Sequence, residues 1–407
     1  VLGDLLIEGP TNGYSPPSGS NAKGSLSLKL SATTQGRFVL DPHTIKRLHE
    51  TLPSDSPYWL MPGDLLVQRS NTRELVGTAA IYEGPPATYI YPDLMMRLRF
   101  ADASIARWVW RYMNSPTGRR FFERIAAGAA GSMPKISGAK LRSMVIPLPG
   151  RTERERLLSL LDKADAIRRK RKDAIAFTEE LLRSTFLDMF GDPVTNPKGW
   201  PLAPLDKMVE SITAGWSANG EPRALRDGEL GVLKVSAVSS GRFQPDEYKA
   251  LDGSAVERVL VHPRRGDLLF SRANTRDLVA ATCLVTKDAP RVFLPDKLWR
   301  IDPKRDLATS GYLRYLLAHP RVKEEIASVA TGTSGSMLNV SQTKVKALQV
   351  PTPSLELQAK FDAVVWRSLD SEQHLKVAAA HADTLFDALM QRAFGGTMNA
   401  GVVETTC

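Results

Sequence analysis

The chain has 407 residues, enough for two or three domains at roughly 150 residues each, with 43% hydrophobic and 24% charged residues, as in a soluble globular protein. Its two cysteines, Cys283 and Cys407, exclude a disulfide scaffold and a zinc ribbon or finger, and fit a reducing compartment. Lys and Arg exceed Asp and Glu by 54 − 44 = 10, a balance that points to nucleic acid or an anionic membrane surface as partner, the alternative being a merely soluble basic protein. No apolar stretch of about 18 residues exists, and Val1–Pro10 lacks a basic leader and a cleavage site. The missing initiator Met points to a little absent N-terminal sequence.

In chain order, residues 1–150 form a first domain of short apolar runs separated by Gly, Pro, Ser and Asn. Asp64–Val67 and Ala79–Tyr82 predict strands, and Ile105–Asn114 predicts one helix. From 151 to 190 there is no Gly or Pro, and Leu157, Leu161, Ala164, Ile175, Leu182 and Met189 fall near heptad spacing. A long helix over 151–191 is predicted, stopped by Gly191. The Gly and Pro breakers of 192–199 mark a linker. Residues 200–353 form a second domain, with strands at Gly231–Val235 and Arg291–Leu294 and one helix at Tyr312–Ala327. A second long helix over 354–395 carries Phe361, Val365, Leu375, Ala379, Ala382, Phe386 and Leu389 near heptad spacing, and Gly395 marks its stop. The tail, 396–407, lacks periodicity and is expected to fray. The fold class read from this is α+β: two similar mixed or mostly β domains, each followed by a long helix, the helices packing as an antiparallel coiled coil.

The second half repeats the first with a period near 203 residues. Residues 63–76 read GDLLVQRSNTRELV and residues 266–279 read GDLLFSRANTRDLV, ten of fourteen positions being identical. Pro92-Asp93 meets Pro295-Asp296, and Gly36-Arg37-Phe38 meets Gly241-Arg242-Phe243. After one inserted residue, Gly131-Ser132-Met133 meets Gly335-Ser336-Met337, and Phe190-Gly191 meets Phe394-Gly395. Solenoid units run about 20–50 residues, so this is a duplicated domain-plus-helix module.

Catalytic constellations are missing from the sequence. There is no GxxxxGK[ST] phosphate loop, HExxH, CxxC pair or GxSxG elbow. None of the six histidines joins a cysteine or carboxylate cluster at ligand spacing, and His374 and His381 read as a helix-face stripe. The chain reads as a binder.

Candidate nucleic-acid contacts recur in both copies. Arg69, Asn71, Thr72 and Arg73, with Arg272, Asn274, Thr275 and Arg276, follow a strand. Arginine can fork onto guanine or phosphate, and asparagine can grip adenine; alternatively the asparagines cap turns and the arginines pair with carboxylates. Ser132 with Lys135 and Lys140, and Ser336 with Lys344, form a small-residue loop followed by lysine. Such a loop can approach phosphate or can be a docking turn. Tyr14 and Trp216 sit in Gly/Ser loops, able to stack on a sugar or base or to plug the core. The run Arg168–Lys172 reads as a solvated helix face or as a track along a DNA backbone.

These features together resemble the DNA-specificity subunit of type I restriction-modification systems over nearly the whole chain. The matching signatures are the GDLL strands at 63–66 and 266–269, and Pro147-Leu148-Pro149 and Pro351-Thr352-Pro353 entering the helices. The helix ending Leu181–Gly191 matches too. The family's Glu-Gln after the proline segment is approached by Glu356-Leu357-Gln358 and not by Glu153–Arg156. Its Gly-x-Thr-Pro loop is matched loosely by Gly13–Pro16 and Gly215–Ala218.

The resemblance implies two target-recognition domains, each reading one half of a bipartite, asymmetric site on double-stranded DNA. It implies that the helices act as a ruler: at 36–40 residues they span roughly 54–60 Å, one to two DNA turns. It further implies docking of two modification (methyltransferase) subunits and joining of restriction (motor/nuclease) subunits. S-adenosylmethionine, ATP and Mg would act in those partners, with no cofactor and no catalysis in this cytoplasmic chain. The alternatives are the DNA-reading arm of a single-chain restriction-methylation enzyme, a stand-alone DNA-binding regulator, or a coiled-coil scaffold.

Overall fold

The computed structural model describes residues 1–127, 133–251, 259–332 and 337–395. Ser132, Ser336 and the tail 396–407 lie outside the described residues. Contacts divide the chain into two units: Val1–Lys170 with the segment from Ala380 onward, and Arg171–Ala379. The division falls inside both long helices, so each unit holds one β-rich domain and a portion of each helix.

In the first unit the strands are β1 (Glu8–Asn12), β2 (Leu26–Leu28), β3 (Ile45–Arg47), β4 (Leu65–Gln68), β5 (Ala79–Ile81), β6 (Tyr89–Ile90) and β7 (Met95–Arg99). They form an antiparallel sheet in the order β1-β7-β4-β5 and a smaller sheet β3-β2-β6, in which β2 and β6 are parallel. Strand β4 is buried on both faces. Leu65 and Val67 pack with the helices, whereas Leu66 joins Leu28, Tyr82 and Tyr91 on the opposite face. That two-residue alternation, with both faces covered, explains why Leu65-Leu66-Val67 is an unbroken apolar run.

Helices α1 (Ala103–Met113) and α2 (Pro116–Ile125) follow, then short α3 (Gly138–Arg142). Asp102 caps α1 by accepting from the Ser104 N–H, and Ser115 caps α2 by accepting from the Gly118 N–H. The indole N–H of Trp108 donates to the Pro147 carbonyl at 2.7 Å and fixes the entry to α4 (Arg151–Phe190). Gly191 ends that helix with φ +79°, the left-handed conformation glycine adopts without penalty, as its position after an apolar periodic run predicts.

The second unit repeats this plan. Its strands are β8 (Leu202–Pro204), β9 (Val209–Ala214), β10 (Gly220–Glu221), β11 (Gly231–Leu233), β12 (Tyr248–Leu251), β13 (Leu268–Ser271), β14 (Ala273–Asn274), β15 (Thr282–Leu284), β16 (Val292–Phe293), β17 (Leu298–Pro303), β18 (Leu338–Asn339) and β19 (Gln349–Pro351). The order β9-β17-β13-β15 reproduces that of β1-β7-β4-β5, and β12-β11-β16, with β10 added at the edge, reproduces β3-β2-β6. Its helices are α5 (Ser236–Ser239), α6 (Ser310–Ala318), α7 (Pro320–Ser328), α8 (Gln342–Lys346) and α9 (Leu355–Phe394). The Tyr312 hydroxyl donates to the Pro351 carbonyl at 2.8 Å, as Trp108 does to Pro147.

One helix per copy was expected before the long one, and among the described residues the structure corrects this to two plus a short third, α3 or α8, with the additional short α5 in the second copy. The span Tyr312–Ala327 is broken between α6 and α7, because Pro320 cannot donate into a continuing helix and instead starts a new one. Pro116 does the same in the first copy, where α2 was missed.

Within each unit α4 and α9 pack antiparallel. In the second, Arg171 donates to the Ala378 carbonyl while Phe190 meets Phe361 at 5.4 Å. The buried seam of α4 holds Leu158, Leu161, Ala164, Leu182, Phe186 and Phe190. Phe186 and Phe190 anchor an aromatic cluster with Tyr312, Tyr315 and Phe361. Phe394 takes the corresponding place in the first unit, 4.6 Å from Trp108 and 5.6 Å from Tyr112.

Candidate nucleic-acid interface

Each domain brings three loops together at one end of β4 or β13. In the first copy the N–H groups of Arg69 and Ser70 donate to the Leu94 carbonyl at 2.8 and 3.3 Å. The Ile136 N–H donates to the Arg69 carbonyl at 2.9 Å, and Ser70 bridges Lys135. The arginine loop and the lysine segment, far apart in sequence, therefore lie side by side. In the second copy Arg272 donates to the Lys297 carbonyl at 3.0 Å and accepts from the Val340 N–H at 2.9 Å. Strand β14 then pairs with β18 through Ala273–Asn339 and Asn274–Leu338.

The Gly-aromatic-Ser loop joins the same end. Tyr14 N–H donates to the Tyr91 carbonyl and Trp216 N–H to that of Leu294, both at 2.9 Å. A Cβ on Gly13 or Gly215 would collide with those same carbonyls, which is why glycine stands there. The Ser15 hydroxyl bonds Asp93, whose N–H returns a bond to Ser15 at 3.0 Å; Ser217 and Asp296 repeat the pair. Tyr14 stacks on Tyr58 at 5.2 Å and donates to Glu50 at 3.0 Å, and that hydrogen bond followed by the Glu50 charge raises its pKa. Trp216 is half-buried and stacks on Phe293 at 6.1 Å.

The asparagines are tied into the turns. Asn71 Oδ1 accepts from the Thr72 N–H at 2.7 Å, and its Nδ2 donates to Gln68 at 2.5 Å. Asn274 Oδ1 accepts from the Thr275 N–H at 2.8 Å, and its Nδ2 donates to the Ser239 hydroxyl at 3.3 Å. Thr72, Arg73, Thr275 and Arg276 are exposed at the tips, and neither Arg73 nor Arg276 makes a hydrogen bond or salt bridge with a described residue. Arg69 and Arg272 are half-buried, the latter with its guanidinium 5.9 Å from the Trp299 ring.

Lys135 is exposed beside the arginine loop. Lys140 and Lys344 point elsewhere: their ammonium groups donate to the carbonyls of Ile125 and Val329, where α2 and α7 end. A cation there suits the negative end of the helix dipole.

Sequence reasoning missed the braces. Arg119 on α2 donates to the Glu74 carbonyl at 2.8 Å, and Lys323 on α7 donates to that of Asp277 at 2.6 Å; burial lowers the pKa of both cations. Gln68 is buried and donates to Leu30, Thr33 and Thr34 while holding Asn71. The recurrence of Pro-Asp at 92–93 and 295–296 was the available signal for the serine latch.

No protein-family model matches the chain. Over 174 residues it is 27% identical to the Type I restriction enzyme EcoEI specificity subunit of Escherichia coli, a match covering 42% of this chain and 29% of that protein. Over 175 residues it is 25% identical to the EcoKI specificity subunit of Escherichia coli K12, covering 42% and 37%. This chain is a relative of type I restriction-modification specificity subunits.

The matches span less than two fifths of the length of those two relatives. The crystal structure of the type I restriction-modification S subunit from M. genitalium superposes with a TM-score of 0.56 at 13% identity, covering 94% of this chain and 92% of that one. The likeness extends to the α+β architecture of that subunit. Among the described residues no helix is long and apolar enough to cross a membrane, and no group of three or more His, Cys, Asp or Glu could hold a metal ion.

Proposed function

We propose that this chain is the non-catalytic DNA-recognition subunit of a type I restriction-modification complex, each domain reading one half of a bipartite, asymmetric double-stranded target. The observation that carries the reading is the duplicated loop cluster. Both copies share the scaffold of Ser–Asp latch, asparagine-capped turn and α2/α7 cation brace, and both present an exposed arginine at the tip. Around it the side chains differ: Tyr14 against Trp216, Lys135 against Asn339, Leu94 against Lys297. A common frame with different contact groups suits two readers of different half-sites.

In this reading Arg69, Arg73, Lys135, Arg272 and Arg276 meet phosphates or base edges, and Tyr14 and Trp216 lie near them. The long helices set the unread spacer and dock two modification subunits, which supply S-adenosylmethionine and methyl transfer. Restriction subunits supply ATP- and Mg-dependent motor and nuclease activity in the cytoplasm. No cofactor acts in this chain.

A mobility-shift titration of duplex DNA at increasing salt, with and without a modification subunit, tests the proposal. Affinity is expected to fall steeply with salt through release of counterions from neutralised phosphates. Methylome sequencing of cells with the intact system is expected to give a split motif with unlike halves. Methylation or cleavage by the purified chain alone, or a site of identical inverted halves, would refute it.

A further inference from the structure

Each domain docks on the helices of its own unit through a salt-bridged node, besides the pairs Asp102–Arg154 in the first and Arg265–Asp370 in the second, and the two nodes carry different charges at equivalent positions. Two recurring hydrogen bonds fix the equivalences. Trp108 bonds Pro147 as Tyr312 bonds Pro351, and Trp110 donates to the Gly36 carbonyl as Arg314 donates to that of Gly241. Trp110 thus corresponds to Arg314, Arg111 to Tyr315 and Arg107 to Gly311. Aligning the shared ends Phe190 and Phe394, the helix positions Asp162, Asp165 and Arg168 correspond to Trp366, Leu369 and Glu372, and Glu179 corresponds to Asp383.

In the first unit the helix supplies both signs. Arg111 of the domain pairs with Asp162 at 2.9 Å and Asp165 at 3.3 Å, and Arg107 also pairs with Asp162. Arg168 of α4 binds Asp165 at 2.9 Å and reaches Asp383 at 3.6 Å. In the second unit the domain supplies two arginines to helix acids. Arg314 pairs with Glu179 at 2.9 Å, and Arg242 pairs with Glu179 and, at 2.6 Å, with Glu372, whose side chain is 3% exposed. Arg37, the counterpart of Arg242, stays outside the first node: it is exposed and bonds Gln35 in its own loop. Gly311 is pressed on Asp362, its N–H donating at 2.7 Å, where the first domain carries the long side chain of Arg107.

We infer that the docking surfaces are keyed by this difference, so that the second recognition domain is rejected from the helix end that holds the first. Seated there, Arg314 would meet Asp383 in place of Glu179, but Arg242 would meet Arg168 where its own unit supplies the buried Glu372. Asp162 and Asp165 would meet Tyr315 in place of Arg111, leaving the buried Asp165 without its domain partner. Asp165 would keep only Arg168 and Arg169 of its own helix, at 2.9 and 3.5 Å, and like charges set face to face, as Arg242 and Arg168 would be, reject a wrong partner. The inference concerns docking alone and does not depend on the DNA-reading proposal; it would hold the two readers in a fixed order along the chain.

The test has two arms. In the first, residues 200–353 stand at both domain positions of an otherwise full chain, with and without Arg168→Glu, which installs at the first end the acid found at the second. Limited proteolysis with mass mapping is expected to cut the first-position domain about tenfold faster than the parent domain, and Arg168→Glu is expected to restore most of the resistance. Resistance equal to the parent, or absence of rescue in a folded chimera, overturns the inference. Should the chimera not fold, the natural chain decides. Glu372→Arg is expected to loosen the second domain, and added Arg242→Gln, which removes the like-charge contact without setting a second acid against Glu179, to tighten it again; a double variant no more resistant than the single overturns the keying.

Discussion

The backbone N–H of Ile136 donates to the carbonyl of Arg69 at 2.9 Å, and Val340 repeats the bond to Arg272 at the same distance. These two bonds lay the segment bearing Lys135 in the first copy, and Asn339 in the second, alongside the arginine loop and turn separate sequence motifs into one surface. They leave Arg73 and Arg276 projecting from the loop tips.

Arg73→Ala and Arg276→Ala are therefore expected to weaken DNA binding, each at one half-site only. If each arginine neutralises one phosphate, the slope of log affinity against log salt should shrink by about 1 per variant. Binding assays on targets with either half scrambled read this out; equal effects on both halves would assign these arginines to something other than separate readers.

Asn71 acts as a turn brace, since its side-chain oxygen and nitrogen are both engaged within the fold. Asn71→Ala should destabilise its unit by about 1–2 kcal/mol, the range for losing such bonds, as measured by denaturant unfolding. Its effect on DNA should run through Arg73. Asn71→Ala combined with Arg73→Ala should bind DNA as Arg73→Ala does, and a further additive loss would mean that the amide touches the target itself.

Phe394 ends α9 against Trp108 and Tyr112, and Phe190 ends α4 against Tyr312 and Phe361. Truncating a buried phenylalanine costs about 3–5 kcal/mol. Peptide-resolved hydrogen exchange should show Phe394→Ala loosening the first unit and Phe190→Ala the second.

Glu179 couples the second unit to pH. Burial would raise its pKa, but Arg314 and then Arg242 outweigh burial and hold it below the ordinary 4.5. A carboxylate with a depressed folded pKa contributes stability fully above its unfolded pKa and loses it as pH falls through the folded value. Stability of the second unit should thus decline on acidification below pH 4.5, and Glu179→Gln should flatten that decline while lowering stability at neutral pH. An unchanged acid limb in the variant would remove Glu179 from the account.

Much of this architecture is legible in the chain because its signals are local. Ten identities in fourteen residues expose the duplication, and a run of forty residues without Gly or Pro, closed by Gly191, announces a long helix. The same reading passes over Pro320 inside an expected helix, and over Phe186 and Phe190, whose burial depends on Tyr312 and Phe361 arriving from another part of the chain. Lys140 and Arg73 look alike in sequence, as exposed cations in small-residue loops. Only the position of the α2 C-terminus separates the lysine that ties down a helix from the arginine that points outward.

The sequence by itself determined the repeat, the two-part modules and the lengths of the helices, because identity, periodicity and helix breakers act between neighbouring residues. The tertiary structure alone decided which charges meet: Glu179 finds Arg242 and Arg314, while Asp165 finds Arg111 and Arg168. An ion pair forms where packing sets two side chains within about 4 Å of each other, and residues tens of positions apart carry no mark in the sequence of the surface they will share.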